Sequence, residues 1–327
     1  MSPRTLRDAP RPSAAKPMAR APDMSVNLAG VTLRNPVIAA AGTAGYVSEL
    51  ASVLPPSAIG AIVTKSITRA PRDGNPPWRI VDARNGMLNA IGLANVGLER
   101  FLAEKLPEAA AADTVIIGSI AGDAVGDYVA VAEAFDAAEA LPLVELNVSC
   151  PNTERGLQFG DDPEALRELL RAVRPVLRRT KMIVKLSPNV GDIVAMARAA
   201  IDEGADVLTL INTLSAMAID VETRQPRLSR GHGGLSGPAI HPVAVRMVQE
   251  VHEAVARDAG VPIIGLGGVS AWADAAELIL AGATAVAIGT ALFVDPRAPE
   301  QVARGLAKWT RRQGCASVSE LTGAVEM

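Results

Sequence analysis

One thiol stands where a thiol can act as a base. Cys150 lies in the run Asn147-Val148-Ser149-Cys150-Pro151-Asn152, with an amide side chain on either side. An amide offers both a donor and an acceptor, which suits the edge of an imide or carboxamide. A free thiol titrates near about 8.5, so a modest preference for the thiolate makes it a proton acceptor near neutral pH. A buried structural cysteine is the bland alternative, and for an isolated Cys it would be the better reading. The flanking Asn, Ser, Pro and Asn at the end of an apolar run favour chemistry instead.

Other polar groups also follow short apolar runs. Lys65-Ser66, Lys185 with Ser187, and Asn212-Thr213 do so, and Gly267-Gly268 and Gly289-Thr290 end two more. A buried lysine needs an anionic or electron-rich partner, either a structural salt bridge or a bound ligand. The glycine-rich stretches GLGGV (265–269) and AIGTA (287–291) would let backbone N–H groups approach a phosphate, and GGLSG (233–237) adds a third such loop. Tight turns alone are the competing reading. The histidines are poorly placed to be the base: His241 precedes Pro242 at a helix start and His252 lies inside that helix, so both read as structural, as does His232 with less to support it.

The elements that carry these groups alternate. Buried-strand candidates are Val37–Ala40, Ala61–Ser66, Thr114–Ile120, Leu143–Ser149, Met182–Ser187, Val207–Asn212, Pro262–Gly268 and Ala285–Thr290. Between them run helical patterns. Asp161-Asp162-Pro163 opens one with Leu166, Leu169, Leu170 and Val173 on a face; Gly191-Asp192 opens another that ends near Glu203-Gly204; His241-Pro242 opens a third; Ser270 caps a fourth that stops at Ala281-Gly282. Eight strands alternating with helices predict a (β/α)₈ TIM barrel, whose C-terminal strand ends carry the chemistry and whose seventh and eighth loops often hold a phosphate. A doubly wound sheet is the runner-up, but no Gly-rich fingerprint follows the first strand. Residues 25–36 (SVNLAGVTLRNP) read as a β-hairpin closing the barrel bottom. The segment Thr68–Asn95 is rich in Pro, Gly and Asn and too long for an idle connection, which assigns it to the active-site face.

Composition agrees. Of 327 residues, 49% are hydrophobic and only 3% aromatic, so an aliphatic α/β core is expected. A net charge of −3 gives no footprint for nucleic acid. No apolar run approaches the roughly 20 residues that span a bilayer. Two cysteines, Cys150 and Cys315, suit neither a disulfide framework nor a Cys-x-x-Cys metal site and fit a reducing compartment, so a cytoplasmic protein is expected. The first 24 residues, rich in Pro, Ala and Arg without an apolar core, read as a disordered extension before one catalytic domain over 25–327.

The motifs NVSCPN (147–152), KSIT (65–68), NAIGL (89–93), KLSPNV (185–190), INT (211–213) and GGLSGPAIHPVAVRM (233–247) together resemble the class 1 dihydroorotate dehydrogenases, most closely the NAD-linked class 1B catalytic subunits, from about Asn27 to about Phe293. The resemblance implies that Cys150 removes a proton from C5 of dihydroorotate while a hydride passes from C6 to N5 of FMN, a step in pyrimidine biosynthesis. Class 2 relatives carry Ser at this position, and Cys150 argues against them. It implies that Lys65, Asn89, Ala90, Ile91, Gly92, Leu93, Asn147, Asn212 and Thr213 hold orotate. It implies that Ala41, Lys65, Ser66, Ser119, Asn147, Lys185, Ile211, Gly237, Gly267, Gly268, Gly289 and Thr290 hold FMN. Relatives commonly place Asn where this chain has Ser119, whose hydroxyl is a shorter hydrogen-bonding group. No metal site is implied. Residues 152–160, with Gly156 and Gly160, would form a lid over the substrate.

The resemblance also implies a partner. The chain has no G-x-G-x-x-G fingerprint and too few cysteines for the four thiolates of a 2Fe-2S cluster, so FAD and 2Fe-2S would sit on an electron-transfer subunit, with a catalytic homodimer inside a heterotetramer. Three other readings remain: a fumarate-linked class 1A enzyme, a dihydropyrimidine dehydrogenase of the same superfamily, and a flavin-binding barrel without turnover. GGLSGPAIHPVA and INTLSAMAID favour class 1B over the first, NAIGL and Asn152 favour orotate over the second, and Cys150 among amides argues against the third.

Overall fold

The computed structural model describes residues 21–148 and 159–326. Cys150, Asn152 and almost all of the expected lid lie outside the described residues, as does most of the expected N-terminal extension. The backbone is tied down from Asp23, which donates to Ala316 O at 2.8 Å and accepts from Val318 N at 3.0 Å.

Eight parallel strands close into a barrel. They are β1 (Val37–Ala39), β2 (Ala61–Ile67), β3 (Val115–Ile120), β4 (Leu143–Asn147), β5 (Lys181–Lys185), β6 (Val207–Leu210), β7 (Ile263–Leu266) and β8 (Ala285–Ile288). Each pairs with the next, and β8 closes on β1 with Val286 opposite Val37. Every predicted strand is present. Most stop short of the predicted C-terminal bound, because Ser187, Asn212, Gly268 and Thr290 already belong to the loops that follow. The strands are buried aliphatic runs, as expected where helices cover the outer face. The few aromatics are used in bulk: Phe101, Phe135 and Phe159 are among the largest fully buried side chains.

The helices start where the sequence marks them. Asp162 accepts from Ala165 N at 2.8 Å and caps Pro163–Val173, and Asp192 accepts from Ala195 N at 2.9 Å and caps Ile193–Asp202. Ser270 is not itself the cap of Trp272–Leu280. Its N and Oγ both donate to Asp274 Oδ2, at 2.8 and 2.9 Å, and the helix opens after Ala271.

The predicted hairpin pairs Val26–Leu28 with Val31–Leu33 and buries Leu28 and Leu33. It turns through Ala29 (φ 51) and Gly30 (φ 96). Arg34, just after it, reaches Asp113 at 2.6 Å, next to the start of β3, so the hairpin covers the N-terminal end of the barrel. At the opposite end, strands Ile80–Ala83 and Gly86–Asn89 join Gly233–Ser236 and Leu214–Ala216 in a four-stranded antiparallel sheet. The segment Thr68–Asn95 therefore does belong to the C-terminal face. GGLSG is not a loop, however. Its first four residues form a strand of this sheet, and a Cβ on Gly234 would stand 2.0 Å from Thr213 Oγ1, so only glycine lets the two chains meet. The sheet has a small core of its own around Leu88, Ala90 and Leu228.

Candidate active site

A cavity of about 660 Å3 opens at the C-terminal end of the barrel, in the size range of small-molecule sites. Lys65 and Ser66 reach it from β2, Asn147 from β4, Lys185 from β5, Ile211, Asn212 and Thr213 from the end of β6, and Gly267 and Gly268 from the end of β7. Ala41, Asn89, Ile91, Gly92, Leu93, Gly237, Gly289 and Thr290 complete this part of the wall. Two predicted residues are not in the wall. Ala90 is fully buried in the core of the antiparallel sheet. Ser119 is fully buried behind Ser66, and the two hydroxyls share a hydrogen bond of 2.8 Å.

The amides are braced against one another. Asn212 Nδ2 donates to Asn147 Oδ1 at 3.1 Å, and Thr213 N donates to Asn212 Oδ1 at 2.9 Å. Tyr128 donates its hydroxyl to Asn147 O at 2.7 Å, which holds the end of β4. Asn89 Nδ2 donates to Gly234 O at 3.3 Å.

The two lysines differ. Lys185 is buried and its ammonium lies 3.7 Å from Glu145 Oε1, so the ion-pair alternative is realised there. Lys65 has no carboxylate partner among the described residues. Burial pushes its ammonium below the usual lysine range, and like-charge repulsion from Arg79 acts in the same direction. Arg79 also lines the cavity and is anchored by donating to Asp73 O and Asn75 O at 2.9 and 3.2 Å. Lys65 and Arg79 thus both face one cavity, and neither forms an ion pair with a carboxylate among the described residues. Sequence reasoning missed Arg79, although its signal was available: it is a basic residue inside the long segment already assigned to this face. It also missed Phe293 and Val294, which form the lip of the cavity and are 55% and 86% exposed.

Glycines shape the other end. Gly267 (φ 148) and Gly268 (φ 69) turn the chain sharply after β7. A Cβ on Gly268 would come within 2.7 Å of His241 Cβ and 2.9 Å of Gly237 O, whereas one on Gly289 would make only ordinary contacts, with Ala40 Cβ at 3.8 Å and Thr43 Cγ2 at 3.9 Å. His241 Nδ1 bonds Gly267 O at 2.8 Å and fixes the turn, the structural part assigned to it. Backbone brought this close to a cavity suits a ligand phosphate, and the apolar wall from Ala40, Ile211 and Leu266 suits a flat ring. The residues present fit FMN. Among the described residues no cluster of His, Cys, Asp or Glu is suited to a metal ion, and no helix is long and apolar enough to cross a membrane.

The chain is similar to known proteins over almost its whole length. The family model described as Dihydroorotate dehydrogenase matches residues 23–309. A protein of Pelobacter propionicus named dihydroorotate dehydrogenase B (NAD(+)), catalytic subunit, is 49% identical over 306 residues, covering 93% of this chain and 99% of the relative. Proteins of the same name from Geotalea daltonii and Geobacter sulfurreducens are 48% and 47% identical over 307 residues, each alignment covering 94% of this chain and 99% of the relative. The match runs through the barrel, the antiparallel sheet and the glycine turns alike, and the chain belongs to the dihydroorotate dehydrogenase family.

Proposed function

We propose that this chain is the catalytic subunit of an NAD-linked dihydroorotate dehydrogenase and oxidises dihydroorotate to orotate with FMN. The observation that carries the reading is the pair Lys65 and Arg79, two cations that have no carboxylate partner among the described residues and share a cavity with a cluster of braced amides. A small ring with one carboxylate and an imide matches that set. Lys65 and Arg79 meet the carboxylate, and Asn89, Asn147 and Asn212 meet the ring N–H and C=O groups. Ile91, Gly92 and Leu93 form the adjoining wall.

FMN, when bound, supplies the two-electron acceptor. Gly267, Gly268, Gly289 and Thr290 would hold its phosphate; Ala41, Ser66, Ile211 and Gly237 would flank the ring, with Lys185 at its pyrimidine edge. Ser119 would act at one remove, by orienting the Ser66 hydroxyl. Cys150 would take the proton from C5, its loop beginning just after Asn147 and ending before Phe159. The electrons would leave through a partner subunit carrying FAD and a 2Fe-2S cluster, in a heterotetramer built on a catalytic homodimer. Two cysteines, too few for a disulfide framework, suit work in the cytoplasm.

Lys65→Met tests the carboxylate assignment. It removes a charged hydrogen bond worth about 1.5–3 kcal/mol, so orotate should bind about 10- to 100-fold more weakly, read on the fraction of chains that carry FMN. Unchanged orotate affinity by titration of the flavin spectrum would remove Lys65 from the substrate site.

Gly268→Ala tests the phosphate end. The left-handed backbone alone should cost about 1–3 kcal/mol, and the collision with His241 adds to it. FMN per chain after purification should fall sharply. A variant with full FMN and parental melting temperature would contradict the cradle.

A further inference from the structure

Glu145 is a buried charge that the binding scheme above leaves without a task. It is the third residue of β4, on the same face as Asn147 and one layer deeper in the barrel. Its Oε2 accepts a hydrogen bond from Thr209 Oγ1 of β6 at 3.0 Å. Its Oε1 lies 3.7 Å from Lys185 Nζ and has no hydrogen-bond partner among the described residues. The side chains of Lys185 and Glu145 are only 8% and 3% exposed. A half-satisfied carboxylate in the barrel interior is costly, and a fold retains one when something is gained from it. The ammonium is near enough to neutralise it, yet too far for a full hydrogen bond, and Lys185 also lines the cavity. One cation is therefore shared between a carboxylate beneath it and the cavity above.

We propose that Glu145 is a positioning residue that sets the electron affinity of the flavin in this cavity by fixing how much of the Lys185 charge reaches it. The inference rests on the FMN reading. Electrons placed on a ring beside Lys185 add negative charge, which the ammonium favours and the carboxylate opposes. With both present the pair is neutral. Glu145→Gln keeps the shape and a hydrogen-bonding partner for Thr209 but leaves Lys185 uncompensated, so the bound flavin becomes easier to reduce.

The test is equilibration of the purified FMN-loaded chain with a reference dye, read as the ratio of reduced to oxidised flavin at a fixed poise. Glu145→Gln should raise that ratio about tenfold or more, equal to about 30 mV for a two-electron couple. Lys185→Met should lower it, and the double variant should lie above Lys185→Met alone. The double variant replaces a buried ion pair with neutral groups, a change folded proteins often tolerate, so it carries the test if the single variant does not fold. A merely structural Glu145 would alter the melting temperature or FMN affinity and leave the ratio unmoved. Bound FMN whose ratio does not rise on loss of Glu145, in either background, would overturn the inference. A parent chain that takes up no FMN would overturn the reading beneath it, and the inference with it.

Discussion

Replacing Cys150 with alanine is expected to slow flavin reduction by dihydroorotate by about 10²–10⁴-fold, the range for one positioned general base, with FMN still bound. Cys150 lies outside the described residues, but described residues on either side of it in the sequence are held together. Tyr128 holds Asn147 O through its hydroxyl and packs edge-on against Phe159 with ring centroids 5.9 Å apart. Asn147, three residues before Cys150, and Phe159, nine residues after it, thus share Tyr128 as an anchor. Cys150→Ser should recover little near neutral pH, because a hydroxyl is a far weaker acid than a thiol and none of the three histidines is placed in the cavity wall to assist it. Rapid-mixing measurement of flavin bleaching separates this step from later electron transfer. Near-normal bleaching in the alanine variant would remove Cys150 from the mechanism.

The second large effect concerns the electron acceptor. The isolated chain should reduce a dye such as dichlorophenolindophenol with dihydroorotate, yet reduce NAD very slowly, and the partner subunit should restore NAD reduction. The reason lies in what the chain can hold. Cys150 and Cys315 cannot supply four thiolates, and the glycine turns after β7 and β8 do not form a dinucleotide fingerprint. The lip of the cavity, by contrast, carries Ile80, Phe293 and Val294, all exposed and apolar, which suits docking of a protein. Rapid NAD reduction by the single chain would refute the two-subunit reading. Rapid turnover with fumarate alone would move the assignment to class 1A.

The barrel was legible because buried parallel strands are written as short aliphatic runs, and polar residues stand where those runs end. Lys65, Asn147, Lys185 and Asn212 could be placed at one mouth by that rule alone. The antiparallel sheet was not legible. Its strands are three to four residues long among glycines, and the partners Gly234 and Asn89 are far apart in sequence, so neither periodicity nor a turn signal marks the pairing. Arg79 was hidden for the same reason, since only that sheet brings it to Lys65. Glu145 was visible as a charge inside an apolar strand, two residues before Asn147, but its meaning depends on Lys185 and Thr209 from two other strands. Position in the motif carried Ala90 and Ser119 into the ligand set, whereas burial turns Ala90 into the sheet core and sets Ser119 behind Ser66.

The most direct test is a single titration. The chain, purified without a partner, is loaded with FMN and mixed with dihydroorotate in the absence of oxygen, and the visible flavin band is followed. The expected result is a yellow protein whose band bleaches in proportion to the dihydroorotate added, with orotate released in equal amount. A yellow protein whose band is unmoved by dihydroorotate, or a chain that takes up no FMN, would contradict it.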